Sequence, residues 1–267
     1  MQNVKLNNGV EIPILGLGTW KTPEGTVAFH SVLWALQNGY RHIDTAAIYG
    51  NEESVGKAIK SSGIPREEIF VTTKIWNADH KDPKKALDTR LKKLGMSYVD
   101  LYLIHWPVPQ REQTWRAFET FLKEGICRSI GVSNFTIAHL EKLLKSSNTI
   151  PSVNQVEFNP FLYQKELLDY CKHHKIQLEA YSPLSHGQRL NDKDIKSIGN
   201  RYSKTPAQVM LRWAVQKKIV VIPKSVNKER IIENSKIFDF ELSKNDMTLL
   251  DNMNEDFRTC WDPTNIQ

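Results

Sequence analysis

Four side chains in the first half of the chain could together move a proton. They are Asp44, Tyr49, Lys74 and His105, and each stands at or just beyond the end of a short apolar run: "HIDTA" at 42–46, "IFVTTKI" at 69–75 and "VDLYLIHW" at 99–106. A tyrosine hydroxyl has an ordinary pKa near 10, so at neutral pH it is a reluctant proton donor. A neighbouring lysine ammonium favours the phenolate and is expected to lower that pKa, and a carboxylate beside the lysine keeps the ammonium charged against the cost of burial. A histidine facing the phenol can hydrogen-bond a substrate oxygen and aim it. The set reads as Tyr49 the acid, Lys74 its tuner, Asp44 the anchor of the lysine and His105 the orienter. Any one of these alone reads equally well as a solvated or packed residue at a strand end. Their recurrence in successive units is what such a bland reading does not explain.

The elements that must bring these residues together are legible as a rhythm. After "VKLNNGVEI" at 4–12, where Asn8-Gly9 separates two short alternating runs and signals a β-hairpin, eight apolar runs follow at 15–19, 42–46, 69–75, 99–106, 129–135, 152–158, 176–182 and 219–225. Amphipathic stretches follow the runs at 27–37, 53–60, 83–93, 114–123, 137–144, 165–173, 206–216 and 228–235. Strands alternating with helices imply parallel βαβ units. Eight of them in 267 residues predict an α/β fold, a (β/α)8 TIM barrel with an N-terminal β-hairpin and an extra C-terminal helix, as a single domain over residues 1–267. A doubly wound open sheet is the rival, but "GLGTW" at 16–20 lacks the third glycine of a dinucleotide turn. Added helices are expected at 190–202 and at 243–254, the second capped by Ser243 with Asp246 three residues on.

Composition narrows the class. With 40% hydrophobic and 25% charged residues the chain reads as an ordinary globular protein. No run of about 18 apolar residues predicts a membrane span, and the polar start gives no signal-peptide pattern. The three cysteines, Cys127, Cys171 and Cys260, form no metal or disulfide spacing, which favours a reducing compartment and a cytoplasmic location. The formal charge of +6 is spread over helices mixed with acids, as in "DPKKALDTRLKKLG", so no nucleic-acid or membrane partner is expected.

In a barrel of this kind the site lies at the C-terminal ends of the strands. Those positions also hold Ser133-Asn134, Gln155, Tyr181-Ser182 and Lys224-Ser225. Trp20, Trp76 and Trp106, with Ile48 beside Tyr49, place an apolar wall at the same rim and read as a substrate pocket; Trp261 on the tail is an open case. In the last unit, Asn227 can cap a helix with Arg230 one turn in, so two cations, a hydroxyl and a helix N-terminus converge as a phosphate site would require. The bland alternative there is a capped helix with solvated charges.

The ordered set "DTAAIYGNEESVGKAI", "TTKIW", "LYLIHWP", "GVSNF", "NQVEFNP", "AYSPL" and "IPKSVNKERIIEN" resembles the aldo-keto reductase superfamily over about residues 6–254. Within it, the chain is similar to the 2,5-diketo-D-gluconate reductase and prostaglandin F synthase-like short-loop branch. The resemblance implies a monomeric oxidoreductase that reduces small-molecule aldehydes and ketones with NADPH, an aldehyde reductase needing no metal. It places the catalytic tetrad on Asp44, Tyr49, Lys74 and His105. It implies Ser133, Asn134 and Gln155 at the nicotinamide carboxamide, Tyr181 stacked on the ring, and Ser182 and Leu184 along the pyrophosphate. Lys224, Ser225, Val226 and Arg230 would hold the 2′-phosphate, and Glu233 and Asn234 the adenine. Two positions depart from the pattern: Asn159, where relatives often carry histidine, and His186, where they usually carry a small residue. A nucleotide-binding redox sensor and a metal-dependent hydrolase or isomerase barrel are the competing classes.

Overall fold

Asn8-Gly9 does turn the chain. In the computed structural model, which describes residues 2–266, β1 (Asn3–Lys5) and β2 (Glu11–Pro13) pair antiparallel with Val4 opposite Ile12. Gly9 takes the positive φ of 89° that the turn demands, and Asn8 Oδ1 accepts the Val10 N–H. Eight parallel strands follow, ordered around the sheet as they are in the chain: β3 (Leu17–Gly18), β4 (His42–Asp44), β5 (Phe70–Ile75), β6 (Val99–Ile104), β7 (Cys127–Ser133), β8 (Val153–Glu157), β9 (Gln177–Tyr181) and β10 (Val220–Val221). The first and last are only two residues long, shorter than their apolar runs, yet parallel bridges from Leu15 to Val221 and from Gly18 to Lys224 join them. The sheet thus closes into the (β/α)8 barrel. At that seam a Cβ on Gly18 would lie 2.7 Å from the Ile222 carbonyl, so only glycine lets the two backbones approach.

The helices are α1 (Thr26–Gln37), α2 (Glu52–Ser61), α3 (Pro83–Leu94), α4 (Arg111–Lys123), α5 (Ile137–Ser146), α6 (Lys165–His173), α7 (Lys193–Tyr202), α8 (Pro206–Gln216), α9 (Lys228–Ser235) and α10 (Lys244–Asp251). Side-chain caps explain where several begin. Asn227 Oδ1 accepts the Arg230 N–H at 2.9 Å, and Ser243 Oγ accepts the Asp246 N–H at 3.1 Å, both as the sequence predicts. The added helix expected from residue 190 starts at Lys193 instead, because Asp192 caps it through the N–H groups of Asp194 and Ile195.

Two apolar cores result. The larger lies between strands and helices, with Trp115, Phe118 and Trp213 wholly buried. The smaller joins Phe70, Leu101, Leu103, Val153 and Val220, on the interior faces of their strands, to Leu6 and Ile12 of the hairpin. A lone hairpin is marginal in water. Burying Leu6 and Ile12 contributes about 1.5–3 kcal/mol each, which seats the hairpin as a plug in the N-terminal end of the barrel. Polar interior residues therefore collect towards the other end.

Candidate active site

Strand alternation sends His42 and Asp44, Thr72 and Lys74, Gln155, and Glu179 and Tyr181 to the barrel interior. Lys74 is wholly buried. Its Nζ donates to Asp44 Oδ1 and Oδ2 at 2.7 and 2.8 Å, to the Thr45 carbonyl at 3.0 Å and to Tyr49 Oη at 3.3 Å. Asp44, Thr45 and Tyr49 thus occupy all the directions of an ammonium. An ammonium only donates, so Tyr49 Oη is the acceptor and its own hydrogen must point elsewhere.

Tyr49 ends the short 3-10 turn Ala47–Tyr49, and Gly50 at φ 68° turns the chain away into α2. The side chain is half-buried, and its ring stands edge-on to His105 with centroids 5.8 Å apart. Trp76 meets the same imidazole edge-on at 5.3 Å. Among the described residues neither His105 nitrogen has a hydrogen-bond partner, and Nδ1 is fully buried. Burial, reinforced by the Lys74 charge, holds His105 well below its ordinary value of 6.5, so the ring is neutral.

The Tyr49 phenol departs from expectation. Burial, with the Asp44, Cys260 and Glu179 charges, pushes it well above 10 rather than lowering it. Loss of water around the phenolate is the main cause, and Asp44, paired with Lys74 at close range, leaves an ion pair rather than a free cation beside the phenol. Asp44 itself is raised by burial and held back by Lys74 and Gln155.

Four of the residues that the family resemblance assigns to the nicotinamide belong to one network with the tetrad. Tyr181 Oη donates to Asn134 Oδ1 at 2.8 Å, Asn134 Nδ2 donates to the His105 carbonyl at 2.9 Å, and Ser133 Oγ donates to the Gln155 carbonyl at 2.9 Å. Gln155 Nε2 donates to Asp44 Oδ2 at 2.8 Å and to Glu179 Oε2 at 3.2 Å. The donors of Asn134 and Gln155 are consumed internally, so what these residues offer a ligand is acceptor oxygen, the Gln155 amide Oε1 included.

At the last unit Ser225 closes a turn on Asn227, and Lys224, Val226 and Arg230 are exposed. Lys224 and Arg230 form no ion pair among the described residues. Partial burial, and after it the charge of Lys21, which sequence reasoning missed, lower Lys224, and a nearby anion would offset both. Glu233 differs: its carboxylate takes the Thr205 hydroxyl at 2.8 Å, tying α9 to α8, while Asn234 is buried.

Around the rim, Trp106 is buried and its ring lies 5.9 Å from that of Trp261, which is 73% exposed. Ile48 is half exposed, and Trp20 lies against His186 at 5.4 Å. His186, in a left-handed backbone at φ 52°, pairs with Ser182 Oγ at 2.9 Å and Cys260 Sγ at 3.7 Å. Asn159 Nδ2 reaches the Ser182 carbonyl at 3.4 Å. Both departures thus support the loop that also carries half-buried Leu184. The tail carrying Cys260 and Trp261 is held by Glu157, whose carboxylate accepts the N–H groups of Thr259 and Cys260 at 2.8 and 3.1 Å. Sequence reasoning missed Glu157 and Glu179; the available signal was a carboxylate within a short strand, between Leu178 and Ala180 for Glu179 and after Val156 for Glu157.

The closed parallel barrel thus carries a lysine–carboxylate pair, a phenol and a neutral imidazole at one mouth, and comparison with known proteins gives its family. The family model described as "Aldo/keto reductase family" matches residues 14–255, and the chain belongs to that family of oxidoreductases. It is 52% identical over 266 residues to glyoxal reductase of Bacillus subtilis, covering 98% of this chain and 96% of that one. It is 44% identical over 265 residues to methylglyoxal reductase DkgA of Escherichia coli, covering 97% and 96%. Among solved structures, an aldo/keto reductase from Brucella melitensis superposes with a TM-score of 0.92 at 50% identity, covering 95% of this chain and 99% of that one.

Proposed function

We propose that this protein reduces aldehydes and ketones with NADPH, Tyr49 delivering the proton. When bound, the nicotinamide supplies a hydride from C4 to the carbonyl carbon. The cofactor's fit to this chain is supported by the Gln155 amide Oε1, whose Nε2 is spent on Asp44 and Glu179, and by the cations Lys224 and Arg230 at the start of α9, which form no ion pair among the described residues, with Lys21 near Lys224. Ser182, Leu184, Ser225 and Val226 would hold the stretch between them, Glu233 and Asn234 the adenine, and Tyr181 would stack on the nicotinamide.

The single observation that carries the reading is the Lys74 Nζ–Tyr49 Oη contact at 3.3 Å, with the lysine clamped by both Asp44 oxygens. Because Lys74 occupies a lone pair of Oη, the phenolic hydrogen is free to meet a substrate oxygen. The high affinity of Tyr49 for its proton keeps the acid loaded at neutral pH. As the proton leaves, charge grows on Oη where an ammonium already donates, so the stabilisation is largest in the transition state. Neutral His105 presents Nε2–H to the same oxygen, leaving the buried Nδ1 as a lone pair, cheaper to bury unpartnered than an N–H. Trp20, Ile48, Trp76 and Trp106 supply the apolar wall. The names of the relatives make small 1,2-dicarbonyls such as methylglyoxal the first substrates to try, with simple aldehydes and ketones beside them.

Tyr49→Phe tests the reading. It is expected to lower kcat for methylglyoxal reduction by about 10²–10⁴-fold while leaving NADPH binding nearly intact. Retained turnover would sink the proton-donor assignment.

A further inference from the structure

The interior of the barrel holds a second carboxyl group that the reaction above does not use. Glu179, two residues before Tyr181 on β9, is wholly buried. Its Oε2 accepts one hydrogen of the Gln155 amide at 3.2 Å, and the other hydrogen of the same amide goes to Asp44 Oδ2 at 2.8 Å. Among the described residues its Oε1 has no hydrogen-bond partner, and the nearest basic atom is His42 Nε2 at 3.6 Å. Gly16 admits the His42 ring to this place, since a Cβ there would lie 2.6 Å from Nδ1.

The charges around Glu179 can be counted. From β4 it faces His42 and Asp44, and from β5 Lys74 with Tyr49 beyond it. β8 contributes the neutral Gln155, and β10 pairs Val220 opposite it. Burial drives His42 down to about 3, so it is neutral. Lys74 is the one cation in the set, and Asp44 already holds it. An ionised Glu179 would be a second buried carboxylate without a counter-charge, which is costly. Burial and the Asp44 charge accordingly push Glu179 up to about 8.

We infer that Glu179 is a positioning residue for the proton donor, acting through Gln155 and the Asp44–Lys74 pair, and that its own proton controls the acidity of Tyr49. This rests on the reading of Tyr49 as the acid. With Glu179 protonated, the interior is neutral and Asp44 belongs to Lys74. As the pH rises, Glu179 releases its proton to water and a second negative charge appears behind the pair. Forming the Tyr49 phenolate then becomes harder, so the phenol keeps its hydrogen to higher pH. Glu179 thereby extends carbonyl reduction into alkaline solution and opposes the reverse reaction, which needs the phenolate as base.

Glu179→Gln keeps the shape and the acceptor for Gln155 but cannot ionise. The first readout uses cofactor-free protein. The infrared C=O stretch of a buried protonated carboxyl is expected in the wild type at about pH 6.5, fading as the pH passes about 8, and absent from the variant. The second is the pH profile of kcat for methylglyoxal reduction, each protein normalised to its own maximum. The variant is expected to lose activity about one pH unit earlier on the alkaline side, about a tenfold deficit where the wild type still works. A structural role alone would scale the profile without displacing it. Glu179→Thr, non-ionisable and suited to a strand, is expected to shift the profile the same way if the amide variant folds poorly. Superimposable profiles, or an infrared band that does not titrate, would overturn the inference. A wild type that reduces no carbonyl at any pH would instead overturn the reductase reading, while the infrared titration still decides whether Glu179 holds its proton.

Discussion

Replacing Lys74 by methionine removes the ammonium while filling much of its volume. Asp44 is then left buried with the Gln155 amide as its one remaining side-chain donor, and Tyr49 Oη loses its one donor within the described residues. Breaking a buried ion pair by deleting one partner costs about 3–5 kcal/mol. For a domain of this size each kcal/mol lowers Tm by about 2–4 °C, so the melting point is expected to fall by about 10 °C at neutral pH. The deficit must depend on pH. Without Lys74, burial raises Asp44 further above its ordinary value of 3.8, so the folded variant takes up a proton that the unfolded chain lacks. The penalty is therefore absent below the unfolded value and grows as the pH rises through the raised one. Melting curves of both proteins at about pH 5 and about pH 8 give the stability half of the test. The catalytic half is kcat with NADPH, expected to drop by about 10²–10⁴-fold because the departing phenolic proton leaves an uncompensated charge. A Tm deficit equal at both pH values, or a kcat within about tenfold of wild type, would refute the argument that Lys74 holds Asp44 charged and Tyr49 reactive.

Two further perturbations address the cofactor and the barrel. Arg230→Ala, on the exposed first turn of α9, is expected to weaken NADPH by about 10–100-fold, the worth of one charged hydrogen bond, and NADH hardly at all; fluorescence titration giving equal losses would remove its phosphate role. Gly18→Ala forces a Cβ to 2.7 Å from the Ile222 carbonyl at the closing seam, and overpacking of that kind costs about 1–3 kcal/mol. Thermal melting should show a drop of several degrees, and an unchanged Tm would mean the seam is looser than its geometry implies.

The hydrophobic rhythm of the chain was enough to name the barrel, because a parallel strand buried on both faces must be a short apolar run and its crossover helix must be amphipathic. Asp44, Tyr49, Lys74 and His105 were visible for the opposite reason: they interrupt that rhythm at strand ends, where polar groups are tolerated and a site can be built. Caps such as Asn227 and Ser243 were legible because they act within three residues. The reach of Asp192, which delays α7 to Lys193, was not read, although it is equally local.

What the sequence could not decide was every property set by partners distant in the chain. The phenol of Tyr49 is a case in point. Lys74 suggested a lowered pKa, but the outcome depended on how completely Asp44 neutralises the ammonium and on how much water the fold removes, and both are results of closure. Glu179 read as one residue of a strand until the barrel set Gln155 between it and Asp44, 111 residues from Gln155 in the chain. Glu157 likewise took its role as anchor of the tail from contacts 102 and 103 residues away. The residue types and their order determine which chemistry is available, since pKa and hydrogen-bonding capacity belong to the side chain. Tertiary structure alone determines which of those groups share a dry interior, because desolvation and Coulomb attraction act through space and not along the chain.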